Sequence, residues 1–439
     1  MHTLEQLRSG ALAGTRRLDL SCGLQTVPPE VFDLADTLEV LNLSGNQLTG
    51  LPHDLSRLHR LQVVFGSNNP FTELPEVLGD CAALEVVGFK ACRIAQVPED
   101  SLPRKLRWLT LTDNAIAVLP TSLGERPALQ KLLLAGNQLR ALPDSLAQAH
   151  RLELLRLSAN ALATLPPWLL TLPRLSWLAV SGNPLAWGAA TPSRLPAFDW
   201  SELRVEQLLG EGASGHIYRV AHASHPEGLA LKLFKGDVTS DGLPEHERAA
   251  SLAAGVHPAL CTPCGTLVGH PQGAQGLLLP LLGAAFVNLA SPPSIDSGTR
   301  DVFAPGLRLH AHLALKVAQQ IAQAVAHLHQ RGVVHGDLYA HNILWNPASG
   351  QAMLSDFGAA TLLPDASHAE CSALKAMDVR AMGCLLEELA GLVDSVGTEG
   401  TGVTMRAELT TLEQACLVAV PEERPTMGHV VARLEALSF

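Results

Sequence analysis

One position returns through the first half of the chain at an almost constant interval. Gly23, Asn46, Asn69, Cys92, Asn114, Asn137, Asn160 and Asn183 stand 23 residues apart, with a single step of 22. The residues around it return too: Leu38-Glu-Val-Leu-Asn-Leu-Ser-Gly-Asn-Gln-Leu48 comes back as Leu129-Gln-Lys-Leu-Leu-Leu-Ala-Gly-Asn-Gln-Leu139 and as Leu152-Glu-Leu-Leu-Arg-Leu-Ser-Ala-Asn-Ala-Leu162. A second register, Leu-Pro-x-x-Leu, follows several of these turns, as at Leu51–Leu55, Leu119–Leu123 and Leu142–Leu146. A period of this length implies a row of small units. Each offers one short strand whose inward leucines, such as Leu41 and Leu43, one unit cannot cover, so neighbours must stack.

This half closely resembles a leucine-rich repeat array of about eight units of 23 residues over 15–187. The asparagine amide suits the turn because it bonds to backbone groups as the chain leaves the strand. Gly23 and Cys92 cannot do this equally well, and their turns are expected to be looser. Residues 1–14 read as a cap, with Thr3-x-x-Gln6 and then Leu4, Leu7 and Leu12 forming a helix over 3–12. Between the strand leucines, Glu39, Phe65, Lys90, Trp108, Thr110, Lys131, Glu153, Arg156 and Trp177 face the concave side. That mixture of charge and tryptophan suits a protein or peptide partner, although an exposed Trp can equally pack beside its neighbour. After Asn183 the period stops. Gly188–Pro196 reads as a Gly/Pro/Ser-containing linker, set at 188–200, with a second domain over 201–439.

Composition narrows what the chain binds. A net charge of -11 with no long Lys/Arg run gives little support to a nucleic-acid or anionic-membrane surface. The longest apolar run, Gly276–Ala290, is interrupted by Pro280, Gly283 and Asn288 and is too short to span a membrane. The beginning, MHTLEQLRSGALAG, lacks the pattern of a secretory signal. Eight scattered cysteines, of which only Cys261 and Cys264 are closely spaced, read as reduced thiols of a cytoplasmic protein rather than as a zinc or redox site.

The second half carries ordered motifs. Gly210-Glu-Gly-Ala-Ser-Gly-His-Ile217 is a GxGxxG, weak alone because dinucleotide folds use similar glycines. Leu229-Ala-Leu-Lys232 follows in a strand-like setting. Glu247 lies on a helical stretch from Pro244 to Val256. Next come Val333-Val-His-Gly-Asp-Leu-Tyr-Ala-His-Asn342, Asp356-Phe-Gly358, Asp378-Val-Arg-Ala-Met-Gly-Cys-Leu385 and Glu422-Glu-Arg-Pro-Thr426. In this order and spacing, residues 201 to the end resemble a compact, two-lobed α+β protein kinase domain. The whole chain is similar to bacterial leucine-rich repeat protein kinases.

The resemblance implies roles. Gly210, Gly212 and Gly215 would let backbone approach the phosphates of ATP, and Ile217 would cover the adenine. Lys232 would hold the α- and β-phosphates and pair with Glu247, preferred to Glu245 by its distance from Pro258. Asn342 and Asp356 would hold Mg²⁺, and Asp337 would accept the proton of the substrate hydroxyl. Asp378, Arg424 and His335 match bracing positions, and with His327 and His329 carry no convincing metal-ligand set.

Two departures stand out. The family's His-Arg-Asp here reads His-Gly-Asp, so Gly336 replaces an arginine that commonly receives an activating phosphate. The segment from Asp356 to His368-Ala-Glu370 is short and lacks Ala-Pro-Glu, so activity is expected without activation-loop phosphorylation. Tyr339 stands where serine/threonine kinases usually carry a lysine, and His341 is the candidate for compensating charge. The leading expectation is an ATP- and Mg²⁺-dependent kinase acting on protein Ser/Thr hydroxyls or on itself, with a substrate or regulator on the concave repeat face. The alternative is a repeat scaffold with a pseudokinase attached. A repeat-bearing ubiquitin ligase would need a reactive cysteine, and Cys371, Cys384 and Cys416 fall inside the kinase-like region instead.

Overall fold

The computed structural model describes residues 1–185, 187, 195–212, 215–235, 239, 241–364, 368–394 and 401–437. Its contacts divide the chain into two units, Met1–Leu172 with Asn183–Leu185, and Pro173–Gly182 with Ala186–Phe439.

In the first unit every repeat contributes a three-residue strand: Arg17–Asp19 (β1), Val40–Asn42 (β2), Val63–Phe65 (β3), Val86–Gly88 (β4), Trp108–Thr110 (β5), Lys131–Leu133 (β6) and Leu154–Arg156 (β7). All pair in parallel and in one register, so that Leu18, Leu41, Val64, Val87, Leu109, Leu132 and Leu155 form a row across the sheet. Each residue of that row is 0% exposed, which is the stacking that the 23-residue period demands. This is the leucine-rich repeat solenoid expected from the sequence.

The repeated asparagines tie neighbouring turns together. Asn46 Nδ2 donates to Leu20 O and Leu43 O, both at 2.8 Å, while its Oδ1 accepts from Leu24 N at 3.0 Å. Asn137 does the same with Leu111 O, Leu134 O and Ile116 N. One amide thus satisfies three buried backbone groups drawn from two repeats. At Cys92 the thiol offers weaker contacts, 3.5 Å to Gly66 O and 3.6 Å to Lys90 O.

The outer connections are short 3-10 helices, such as Pro29–Leu34, Thr121–Glu125 and Asp144–Gln148, each entered through a proline. At the beginning, the Thr3 hydroxyl accepts from Gln6 N while Gln6 Oε1 accepts from Thr3 N, a reciprocal cap on Leu4–Arg8 (α1). The helix is shorter than the 3–12 expected, because Ser9 ends it and Gly10 turns the chain with φ 77°. On the strand face the Lys131 ammonium sits 4.3 Å from the Trp108 ring centroid, and Trp108 Nε1 donates to Thr110 Oγ1 at 2.9 Å. Trp108 therefore packs beside its neighbour in this unit.

The second unit includes the strand of the last repeat, Trp177–Ala179 (β8). Ala197–Asp199 (β9), inside the stretch expected as linker, forms an edge strand because Phe198 is buried against Val220, Leu231 and Leu267. Residues 188–194 of that linker lie outside the described residues. A six-stranded sheet follows with the order β10-β11-β12-β14-β13-β9, built from Arg204–Glu211 (β10), Gly215–His222 (β11), His225–Phe234 (β12), Gly265–Val268 (β13) and Gly276–Pro280 (β14). It is antiparallel except where β13 meets β9. Pro244–Ala254 (α2) carries Glu247, Ala250, Ser251 and Ala254 on its buried face.

The remainder is mainly helical. Ala311–Gln330 (α3) is central and buries Ala314, Val317, Ala318, Ile321, Val325 and Leu328 at helical spacing. Ala369–Leu392 (α4), Thr401–Cys416 (α5) and Met427–Glu435 (α6) complete it. Short paired strands frame the loop that carries the site: Val333–Val334 (β15), Ile343–Trp345 (β16), Ala352–Leu354 (β17) and Thr361–Leu362 (β18).

Candidate active site

Three of the candidate residues, Lys232, Glu247 and Asp356, meet directly. Lys232 lies on β12, opposite Ile217 on β11 and Leu277 on β14. Its ammonium stands 2.6 Å from Glu247 Oε1 on α2 and 3.1 Å from Asp356 Oδ1. The partner is Glu247 because its phase on α2 turns it inward, whereas Glu245 is exposed.

Burial alone would lower the Lys232 pKa. The carboxylates of Asp356 and Glu247 more than offset it and hold the ammonium charged. Burial pushes the Glu247 carboxyl up, to about 7, against the pull of Lys232. Asp356 goes the other way: desolvation opposes ionisation, but Lys232 and the Gly358 N–H keep its carboxyl below the usual range. Asp356 also has φ 61°, the left-handed region that a non-glycine residue enters at an energetic cost and that recurs at functional sites.

The glycines behave unequally. A Cβ on Gly215 would lie 2.6 Å from Leu233 O, so strand pairing itself demands glycine there. Among the described residues, a Cβ on Gly210 or Gly212 would meet no atom within 4 Å, so packing against them does not require glycine. Lys235 closes the hairpin by bonding Gly212 O at 3.0 Å. Ala213 and Ser214 of the glycine motif lie outside the described residues, as do Asp365–Ser367 of the short segment after Asp356.

On the loop, Asn342 Nδ2 donates to Asp337 Oδ2 at 2.8 Å and to Asp337 O at 2.9 Å. The amide nitrogen is thus engaged by Asp337, and the amide oxygen is an atom of the kind that ligates a hard cation. Asp378 sits beneath with its carboxylate fully buried, accepting from His335 N at 2.8 Å, from Gly336 N at 3.0 Å and contacting His329 Nε2 at 3.0 Å. Burial opposes its ionisation, yet His329 and these bonds lower its pKa.

Two contributors were not read from the sequence. Asp301 holds His341, with Oδ1 at 2.7 Å from Nδ1 and Oδ2 accepting from His341 N at 2.9 Å. Burial disfavours the imidazolium, but Asp301, with Asp337 and Asp356 beyond, raises the His341 pKa overall. The pair is 40 residues apart and carries no local signature. Trp177, read as a concave-face residue, stacks on Tyr339 with ring centroids 4.2 Å apart and planes 11° from parallel, and its Nε1 donates to Leu338 O at 3.0 Å. Arg424, expected to brace the fold, donates to the carbonyls of Val418, Ala376, Pro173 and Ala419.

Comparison with known proteins bears on the class of the two regions. Residues 299–391 match the protein kinase domain family, and residues 37–58, 104–162 and 127–185 match leucine rich repeat families. The chain is 28% identical over 229 residues to the serine/threonine-protein kinase PknJ of Mycobacterium tuberculosis, which is 51% of this chain and 34% of that protein. It is 28% identical over 222 residues to the human serine/threonine-protein kinase Kist, 47% of this chain and 49% of that one. A third relative, 31% identical over 123 residues, is named probable inactive serine/threonine-protein kinase roco10 of Dictyostelium discoideum and shares 27% of this chain and 5% of its own. The chain therefore spans between a twentieth and about half of the length of these relatives. It combines leucine-rich repeats with a protein kinase domain.

Proposed function

We propose that the second unit is a serine/threonine protein kinase, transferring the γ-phosphoryl group of ATP to a protein hydroxyl or to a hydroxyl of this chain. The observation that carries this reading is the Lys232 ammonium bonded to both Glu247 and Asp356. Phosphoryl transfer needs positioned charge more than covalent help, and this arrangement brings a cation to where the α- and β-phosphates would lie. Gly210, Gly212 and Gly215 would cradle the phosphates and Ile217 would cover the adenine. Asp356 and Asn342 would hold Mg²⁺, which when bound neutralises phosphate charge. Asp337 would accept the hydroxyl proton as the oxygen bonds to phosphorus and the bond to the β–γ bridging oxygen breaks, releasing ADP.

The repeat face, with Glu39, Phe65 and Lys90 among its residues, is proposed to bind a protein substrate or regulator. No helix among the described residues is long and apolar enough to cross a membrane. Eight free cysteines suit a reducing compartment, and we place the protein in the cytoplasm.

Two observations favour the scaffold alternative: Tyr339 brings no charge where a lysine would, and a relative is named probable inactive. Phosphosite mapping after incubation with ATP and Mg²⁺ separates the readings. The kinase reading expects phosphoserine or phosphothreonine on this chain or on added protein. Phosphotyrosine alone would move the hydroxyl class, and a complete lack of phosphosites would favour the scaffold.

A further inference from the structure

Gly336 and Tyr339, the two loop residues at which the second unit departs from the kinase pattern, meet one segment, and Arg424 bonds to it. Pro173–Gly182 belongs to that unit although it is written in the last repeat. A Cβ on Gly336 would stand 2.5 Å from Leu178 O and 2.8 Å from Ala359 O, and Gly336 has φ 69°, so the arginine implied by the resemblance has no room. Tyr339 lies under the Trp177 ring. Arg424 Nη2 donates to Pro173 O at 3.2 Å.

The two contacts of Trp177 restrain different motions. Its N–H bond to Leu338 O fixes the peptide that follows Leu338, and its parallel stack fixes the tilt of the Tyr339 ring. Both act between Asp337 and Asn342. Asp378 grips the same loop from below through the backbone of His335 and Gly336. The loop is held at two places, by Trp177 at the Leu338 carbonyl and by Asp378 at the backbone of His335 and Gly336.

We propose that Trp177 is a positioning residue for phosphoryl transfer, bracing Leu338 and Tyr339 so that Asp337 and Asn342 hold their geometry without a phosphorylated activation segment. The inference rests on the kinase reading. In this role Trp177 contacts Leu338 and Tyr339. It acts through the loop, in the place that Gly336 opens.

The test compares the full chain with Trp177→Phe and Trp177→Ala, measuring kcat and the KM for ATP with γ-labelled nucleotide, alongside amide hydrogen exchange over residues 335–342. Phe keeps the stack and loses the N–H donor; Ala loses both. The expected result is a kcat reduced roughly 10- to 100-fold in Trp177→Ala, as small misplacements of reacting groups produce. KM for ATP should stay within about twofold, since the nucleotide contacts lie elsewhere. Trp177→Phe should recover part of the loss, and loop exchange should rise in the same order. Unchanged kcat, a kcat raised by Trp177→Ala as a removed lid would give, or unchanged loop exchange each overturns the inference. If the unmodified chain transfers no label, the kinase reading itself fails; if it does and Trp177→Ala matches it, only this inference falls.

Discussion

Lys232 and Glu247 meet at 2.6 Å across a strand and a helix, both nearly excluded from solvent, with Asp356 completing the contact at 3.1 Å. In the kinase reading proposed above, this pair would set how close α2 sits to the sheet and so where Lys232 stands toward a phosphate. The geometry selects Glu247 over Glu245, which is exposed.

Replacing Glu247 by Gln removes the charge that orients Lys232 but keeps the shape of the side chain. Transfer from ATP should fall by about 100-fold, the scale expected when a reacting geometry is loosened. Glu245→Gln, at an exposed position, should leave it within about twofold. Steady-state label transfer, with circular dichroism to confirm folding, checks both. Equal losses in the two variants would contradict the assignment.

At Gly336 a methyl group would lie 2.5 Å from the Leu178 carbonyl oxygen, on a backbone with φ 69°. Gly336→Ala should therefore cost about 1–3 kcal/mol in strain and lower transfer in the same direction as Trp177→Ala. Urea unfolding and label transfer together read this out. A variant as stable and as active as the parent chain would show that the segment does not press on the loop.

Glu99 reports on the repeats. Its carboxylate accepts from Ser122 N at 2.8 Å and from Thr121 N and Oγ1 at 3.0 Å. These bonds to Ser122 and Thr121 lower its pKa from 4.5 to about 2. The folded chain thus binds this proton less readily than the unfolded chain. The stabilisation is fully present above pH 4.5 and is lost as pH falls through that value toward 2. Glu99→Gln should be less stable than the parent at pH 7, with the gap closing on acidification. Urea midpoints across this range would contradict the account if the gap stayed constant.

Much of this was legible because it is local or periodic. The 23-residue step demanded stacked strands, and the fully covered row from Leu18 to Leu155 is its consequence. The amide chemistry of Asn46 and Asn137 could be stated from the residue type and its place at a turn. Glu247 was harder, because the spacing of two glutamates leaves the helix phase open until α2 is packed on the sheet. Asp301 beneath His341 and Trp177 over Tyr339 had no local signature, being joined only by the folded path of the chain. The early end of α1 at Ser9 came from Gly10, whose positive φ outweighed the leucine spacing that reaches Leu12.

The central claim is that Asp337, held by Asn342 at 2.8 Å, serves phosphoryl transfer rather than loop structure alone. The most direct measurement is the initial rate of γ-phosphate transfer from labelled ATP with Mg²⁺, for the full chain beside Asp337→Asn. The substitution keeps size and hydrogen bonding while removing the proton acceptor, so the account predicts label in the parent chain and a rate lower by at least about 100-fold in the variant. Equal labelling of both, or of neither, would contradict it.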